Sequence, residues 1–457
     1  MRFADEFSEM ATRLFSTKSL QKMAGETDFY KRKSDFTPAM FFDVLLYCAN
    51  SNEPCSLDSA ATRLNEIHGV NISKQSVDAR FNKGAVVYVQ EILTRVLEQQ
   101  LSSVFQPLFL PQFNRICIKD GTRFNLPVRL KDYYNGFGGT NDTSQAGLCI
   151  QFEYDARSGR VLYLKITDST RTDSKDASET IGSVEKGDLI LRDLGYYKLP
   201  LMNQIDKTGA CYLSRLGSNT CIYQVEKKDQ LSFSKIYSFM SRKGIVNYET
   251  NIYAGKTERL PCRLVVMMVP EEVYKKRLTE INAKNKEKGY TMAEETKSRL
   301  RFNIFITNIA ADVLNLDELA MLYKLRWQIE LMFKNWKSVC KIDKIQPMKY
   351  ERFTCILLAK LILIVLDLQI IWKMKSYLYS TTKGSKLLSL YKCFKTLQNK
   401  FESIMGIIRA CKKDSIEKLN KITNILSSNH WQDPKKNKDK FNLNYEELLD
   451  LFICKSK

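Results

Sequence analysis

The chain has 457 residues, 44% of them hydrophobic, which is ordinary for a soluble protein and allows about two to four domains with large cores. Lys plus Arg number 71 against 51 acidic residues, a formal charge of +20 spread along the chain, and this suggests a polyanionic partner with an extended nucleic-acid footprint. Twelve cysteines with no CxxC pair, and only His68 and His430, argue against a Cys/His zinc site, so the cysteines are read as reduced, buried thiols of a cytosolic protein.

Residues 1–108 are predicted to be an all-helical DNA-binding domain. The N-terminus, Met1-Arg-Phe-Ala-Asp-Glu6, is charged and lacks an apolar run, so no signal peptide is expected. Ser56–Ile67 reads as a capped helix, His68–Asn71 as a turn and Ile72–Lys83 as a second helix. Together they outline a helix-turn-helix over 56–83, with Ser73, Lys74, Gln75, Ser76 and Arg80 as groove-facing candidates. Any helical hairpin shares this outline; the charge balance favours DNA. Leu101–Gln112, with Pro107 and Pro111, is the expected boundary.

Strands follow. In Arg115–Thr122 the residues Ile116, Ile118 and Asp120 share a face, and Gly121 reads as a turn residue that leaves Asp120 at a strand end. Gly147–Asp155 and Arg160–Thr167 read as strands joined by a hairpin turn at Ala156–Gly159, and Ser174–Val184 as a helix. Asp188–Tyr196 is the next strand, ending in Asp193 with Gly195 close behind. Three antiparallel strands, a crossover helix and a fourth strand outline an α/β, ribonuclease-H-like domain, expected over 109–345. In that outline acidic residues at the ends of adjacent central strands meet across the sheet and a later helix brings a third. Residues 210–300 are expected to be a mostly β insertion, with strands at Ala210–Val225, Lys235–Phe239, Val246–Ala254 and Cys262–Val269 and a charged helix at Glu271–Lys288. Phe302–Asn308 returns to the main sheet.

No Gly or Pro lies between Asn315 and Ile345, so one helix is expected there. On a wheel of roughly 100° per residue, Tyr323, Arg326, Glu330, Lys337 and Lys341 fall within about 60°. Leu322, Leu325, Ile329, Met332, Phe333 and Trp336 form a separate core-facing stripe. Glu330 alone reads as an ordinary helix carboxylate balanced by Arg326 and Lys334. Phe353–Met374 is the most apolar stretch, but Lys360 and Asp367 interrupt it, so a buried helix is expected and no membrane span. Residues 346–457 form the C-terminal helical region, with helices over 384–428, a lysine-rich connection Pro434–Lys440 and a last amphipathic helix Tyr445–Cys454.

Asp120, Asp193 and Glu330 therefore place three carboxylates on three elements of one core. Hard oxygen ligands without histidine suit Mg²⁺, with Mn²⁺ as a substitute. Two such ions about 4 Å apart can activate a nucleophile and stabilise a leaving oxygen in phosphodiester chemistry. Carboxylates this close resist joint ionisation without metal. Arg326, Lys337 and Lys341 are candidates to hold backbone phosphates, and Tyr323 to donate to a phosphate or stack on a base. Asp168, Asp173, Asp176 and Asp188 are nearby alternatives; Asp193 is preferred because it ends its strand before a Gly turn, whereas Asp188 begins it.

Tyr, two residues, Arg, three residues, Glu, six residues, Lys resembles the signature of cut-and-paste transposases of insertion-sequence family four, matched here by Tyr323, Arg326, Glu330 and Lys337. Asp120-Gly-Thr looks like that family's first acidic block and Asp193-Leu-Gly-Tyr like its second. The likeness covers roughly residues 110 to 345. It implies a ribonuclease-H-like fold with an Asp-Asp-Glu triad, binding to terminal inverted repeats and to target DNA, cleavage through a hairpin and joining of 3′-ends. It further implies a homodimer, with the C-terminal helices as the dimer and DNA-contact region, and a bacterial cytoplasmic, nucleoid-associated setting. Some relatives carry a base-stacking Trp before the strand preceding the Glu helix; Arg301-Phe302-Asn303 stands here, and Phe302 is read as a core residue. Two other readings compete: a ribonuclease-H-like nuclease or resolvase without strand transfer, and a catalytically silent DNA-binding regulator.

Overall fold

A computed structural model describes residues 2–431, apart from 33, 51–54, 102–109, 139–144, 227–228, 290, 383–387 and 410–411. The expected helix Tyr445–Cys454, the connection Pro434–Lys440 and most of the boundary Leu101–Gln112 lie outside the described residues. Six helices open the chain: α1 (Arg2–Phe15), α2 (Thr17–Glu26), α3 (Pro38–Asn50), α4 (Leu57–His68), α5 (Lys74–Arg80) and α6 (Lys83–Glu98). Then come β1 (Arg115–Asn125), β2 (Gly147–Asp155), β3 (Val161–Asp168), α7 (Asp173–Glu179), β4 (Asp188–Arg192), α8 (Leu199–Lys207) and β5 (Cys211–Arg215). The next stretch holds β6 (Ile222–Gln224), β7 (Gln230–Leu231), α9 (Phe233–Lys243), β8 (Asn247–Ala254), β9 (Leu260–Met268), α10 (Glu271–Lys288), α11 (Glu294–Leu300) and β10 (Phe302–Thr307). Helices close it: α12 (Leu316–Lys324), α13 (Trp327–Ser338), α14 (Tyr350–Thr382), α15 (Leu390–Asn399), α16 (Phe401–Arg409) and α17 (Lys412–Asn429). The fold is mixed α/β, a large sheet with flanking helices.

Contacts divide the chain into two compact units, and β1 runs from one into the other between Asp120 and Gly121. The first unit contains the described parts of 1–109, 121–171 and 328–457. Its helices pack on one another across the chain, α14 against α3 and α6, and α1 against α16 and α17. The sequence reading instead draws one helical domain on each side of the core. Of the most apolar window of α14, 89% is buried in protein, as the interrupting charges require. Lys360 donates to the Cys340 carbonyl (2.9 Å), and burial lowers its pKa to about 8. Burial holds the Asp367 carboxyl well above the ordinary range.

The helix-turn-helix outline is present but shorter. Ser56 caps α4, Gly69 ends it with φ 66°, and Ser73 caps α5. The expected helix Ile72–Lys83 is cut at Phe81, because the Asn82 side chain accepts from the Ala85 N–H and starts α6. In the same unit β2 is buried along its whole length, and Phe152 packs edge-on against Trp336 (4.8 Å) and Phe333 (6.2 Å) of α13.

The second unit contains 110–120 and 172–327. Its strand order is β1-β4-β5-β10-β9-β8-β6-β7, with β1, β4 and β5 parallel and β10 antiparallel to both β5 and β9. β5 thus pairs directly with β4, the strand that leads to Asp193, and belongs with it rather than with the insertion. Residues Lys235–Phe239, expected as strand, lie in α9. Buried Phe233, Ile236 and Met240 recur there at helical steps, and Glu295 of α11 accepts from the Phe233 and Ser234 N–H groups at its start. With α9, α10 and α11, the insertion is α+β rather than mostly β.

Two further expectations are corrected. β1 continues through Gly121 to Asn125, so Asp120 lies inside a strand. Gly121 serves close packing: a Cβ there would meet Gln151 Nε2 at 3.0 Å and Cys149 Sγ at 3.2 Å. The single helix expected after Asn315 is two, α12 and α13. At the junction Leu325 and Arg326 donate to residues three back, Leu322 and Tyr323. Such tightening advances the chain about 20° more per residue than an α-helix, so a 100° wheel loses register there. α13 ends at Ser338, and Lys341 has φ 50°, so Lys341 does not share the helical arc.

Candidate active site

Strands β1 and β4 run parallel with Lys119 opposite Arg192, which sets Asp120 and Asp193 at the next step of neighbouring chains. Asp193 follows β4 directly and precedes a single 3-10 turn, Leu194–Tyr196. That turn is pinned by burial of Tyr196 against Ala177 of α7 and Leu201 of α8. Gly195 passes close to α7: a Cβ there would lie 2.8 Å from Asp173 Oδ2, so the Asp173 carboxylate would have to turn aside. On the other face of β1, Lys119 is fully buried, 2.6 Å from Asp176 and donating to Thr180 (2.7 Å). One helix, α7, therefore braces both aspartate-bearing segments.

Two of the alternative acids are internally matched. Asp188 is fully buried and accepts two bonds from Arg115, at 2.7 and 2.6 Å. Asp176 is matched by Lys119. Asp120 and Asp193 stay partly exposed.

Cations gather on the same side. Arg326 Nη1 lies 3.8 Å from Asp120 Oδ2. The Arg215 guanidinium sits 5.7 Å from the ring centre of Tyr323, whose ring also packs on Phe305. Burial raises the Tyr323 pKa first, Arg326 and Arg215 oppose this, and Asp193 adds to it. The phenol, both arginines and Asp193 are thus electrostatic neighbours. Arg215 carries no local signal in the sequence, where Ala210–Val225 reads as one strand; β5 ends at Arg215, at the same end of its strand as Asp193. Trp327, directly after Arg326, is 55% exposed and was likewise unassigned.

A family model described as "Transposase DDE domain" matches residues 111–366. The transposase for insertion sequence element IS231F of Bacillus thuringiensis subsp. israelensis is 30% identical over 410 residues, covering 86% of this chain and 85% of its own. The chain belongs to the DDE transposases of insertion sequences. The transposase for element IS231C of Bacillus thuringiensis subsp. berliner is 31% identical, over 86% of this chain and 85% of its own. That for element IS1151 of Clostridium perfringens is 28% identical, over 85% of each chain. A DDE transposase domain implies a DNA substrate and use of a divalent metal.

For a DDE transposase the chemistry of the donor set is apt. Asp120 and Asp193, one step beyond the paired residues Lys119 and Arg192, carry hard oxygen donors of the kind divalent cations take. Two carboxylates are not a complete set: among the described residues no group of three or more His, Cys, Asp or Glu is gathered closely enough to hold a metal. Glu330 lies in the first unit, on the first turn of α13 and partly exposed, with Ile329, Met332, Phe333 and Trp336 buried on that helix. Lys337 donates to the Arg123 carbonyl (3.0 Å), which ties α13 to the far half of β1 and occupies an amine expected on phosphate.

Of the N-terminal candidates, Lys74 and Gln75 are exposed, and Lys74 pairs loosely with Asp58 (3.4 Å). Arg80 is turned inward: it donates to Ser34 (2.7 Å) and lies over the Phe36 ring (5.4 Å). Phe302 is a core residue, 4% exposed beside Phe233 and Tyr237.

Proposed function

We propose that this chain binds the terminal inverted repeats of an insertion sequence, cleaves at the element ends and joins the freed 3′-ends to target DNA. The observation that carries the reading is the adjacency of Asp120 and Asp193 on parallel strands, with Arg326 against Asp120. The strand orders β3-β2-β1 and β1-β4-β5, sharing β1, support a ribonuclease-H-like core over 109–345. Residues 1–108 are assigned to DNA binding through α4 and α5. Residues 346–457 are assigned to dimerisation and DNA contact, in a cytoplasmic, nucleoid-associated protein.

Asp120, Asp193 and Glu330 would hold Mg²⁺, replaceable by Mn²⁺. When bound, the metal supplies Lewis-acid stabilisation of the oxygens on the reacting phosphorus and lowers the pKa of water. Arg326 and Arg215 bind the charge of the phosphate being attacked, and Tyr323 donates to it. Hydrolysis of one strand gives a 3′-hydroxyl, which then displaces a target-strand 3′-oxygen from phosphorus. If a hairpin forms between these steps, the exposed indole of Trp327 offers the stacking face that buried Phe302 does not.

The test is cleavage of labelled element-end DNA. Asp120→Asn, Asp193→Asn and Glu330→Gln are each expected to lower cleavage about 10²–10³-fold or more, the several kcal/mol a metal site contributes, with binding retained. Full cleavage by any one variant removes that residue from the triad. Cleavage without joining of 3′-ends to target DNA would select a nuclease or resolvase. Binding without metal-dependent cleavage would select a silent regulator.

A further inference from the structure

An aromatic stack on the first unit has no part in the chemistry described so far. The rings of Tyr133 and Tyr350 are stacked at 3.9 Å and 12°, Tyr134 leans on Tyr350 at 6.1 Å, and Phe353 meets Tyr134 edge-on at 5.8 Å. The inner end is core: Tyr134 is 9% and Phe353 2% exposed. The outer end is open, since Tyr133 is 54% exposed although one face of its ring is covered by Tyr350. An amphipathic ring stacked on another ring, with solvent on its second face, is the shape of an unfilled stacking site.

Its backbone is fixed. A 3-10 turn, Val128–Leu130, precedes it, and the Tyr133 and Tyr134 N–H groups both donate to the Leu130 carbonyl, at 3.1 and 3.0 Å. The Tyr134 carbonyl accepts from the Gly147 N–H at 3.2 Å. The ring is thus held in place before any partner arrives, which lowers the ordering cost of binding. The charge around it suits a polyanion. Segments 123–137 and 341–352 carry Arg123, Arg129, Lys131, Lys341, Lys344, Lys349 and Arg352 against Asp132, Asp343 and Glu351. The stack is also linked to the helix-turn-helix outline: Lys349, next to Tyr350, bonds the Asp78 side chain (3.1 Å) and Arg352 pairs with it (3.5 Å), and Asp78 lies on α5.

The geometry points to a second DNA contact, in which the open face of Tyr133 takes an unpaired or unstacked nucleobase next to the duplex engaged through α5. A duplex offers aromatic faces only at ends, gaps and distorted steps, so the site recognises a break in base stacking rather than a sequence. Lys131 and Arg129 on the same loop, both exposed, supply phosphate contacts. This rests on DNA being the substrate, as proposed above.

The experiment uses the full chain in EDTA, so that metal-dependent cleavage is off. The probes are a continuous duplex and the same duplex with a short single-stranded gap carrying 2-aminopurine. The unsubstituted chain is expected to bind the gapped probe more tightly and to quench its fluorescence. Tyr133→Leu is expected to lose about tenfold in affinity for the gapped probe, the ~1.4 kcal/mol of one base–aromatic stack. It should keep its affinity for the continuous duplex and its salt slope, since no charge is removed. Tyr133→Phe should behave as the unsubstituted chain, and an unchanged thermal midpoint shows that each variant folds. Equal gapped-probe affinity and quenching in Tyr133→Leu overturns the inference while leaving DNA binding intact. Failure of the unsubstituted chain to bind either probe overturns the DNA reading and this inference with it.

Discussion

Asp176 and Asp188 have no solvent exposure and each faces a buried or half-buried cation, whereas Asp120 and Asp193 are partly exposed beside one another. Removing one partner of a buried pair strands the other charge. Lys119→Met is therefore expected to lower unfolding stability by about 3–5 kcal/mol, and Lys119→Met with Asp176→Leu to recover most of that loss, read as urea midpoints. Asp120→Asn and Asp193→Asn, measured without metal, should shift the midpoint by no more than about 1 kcal/mol, because both carboxylates are partly exposed and Asp120 is only loosely paired with Arg326 at 3.8 Å. A loss as large as that of Lys119→Met would mark the two aspartates as structural. Asp193 was legible in the sequence because an acid just past the end of a β run, with Gly behind it, is a local pattern; the same pattern at Asp120 misled, since β1 runs on through Gly121 to Asn125. Arg215 was not legible, since its meaning depends on β5 pairing with β4, a non-local register. Lys337 was legible as a cation on the right helix, but not its bond to the Arg123 carbonyl, which forms across 214 residues of chain.

Helices and strands were readable where a cap or a period was strong. Asn315 with Glu318 forms a reciprocal capping box at the start of α12, and Gly289 ends α10 in a left-handed conformation. Gly244 ends α9 in the same way, but Lys235–Phe239 reads as a strand in the sequence, so that cap did not reveal the helix. The break between α12 and α13 has no Gly or Pro to announce it; there the N–H groups of buried Leu325 and of Arg326 donate three residues back, to the Leu322 and Tyr323 carbonyls, and Arg326 turns toward Asp120. The β2–β3 hairpin was visible in its turn residues, but not why its Gly is needed. Gly159 has φ 72°, and a Cβ there would come within 1.8 Å of the Trp372 ring on α14. Gly159→Ala is accordingly expected to destabilise by at least about 1–3 kcal/mol through overpacking, with added left-handed strain. A thermal midpoint equal to that of the unsubstituted chain would show that α14 yields at this contact.

At the scale of the whole chain, a helix apolar enough to cross a membrane is instead buried in the protein, and it carries a titratable group with it. The Lys360 amine has a folded pKa of about 8 against an ordinary 10.5. Between those values the unfolded chain holds more protons, so this lysine makes stability rise with pH from about 8 toward 10.5; below 8 its full penalty applies. Asp367, with a raised pKa, acts in the opposite sense at lower pH, favouring the folded state less as pH climbs above the ordinary carboxylate range. Lys360→Met should flatten the alkaline rise, by up to about 3 kcal/mol, in urea midpoints measured from pH 7 to pH 10. An identical pH slope in the variant would show that the amine is not the source. The Leu216 N–H donates to the Ile304 carbonyl at 3.1 Å, and Arg215 faces Phe305 in the β5–β10 ladder. The inserted strands β9, β8, β6 and β7 extend the same sheet outward from β10, so β10 has an antiparallel neighbour on each side. Without the insertion β10 would become an edge strand, with a row of unpaired backbone groups one strand away from Arg215.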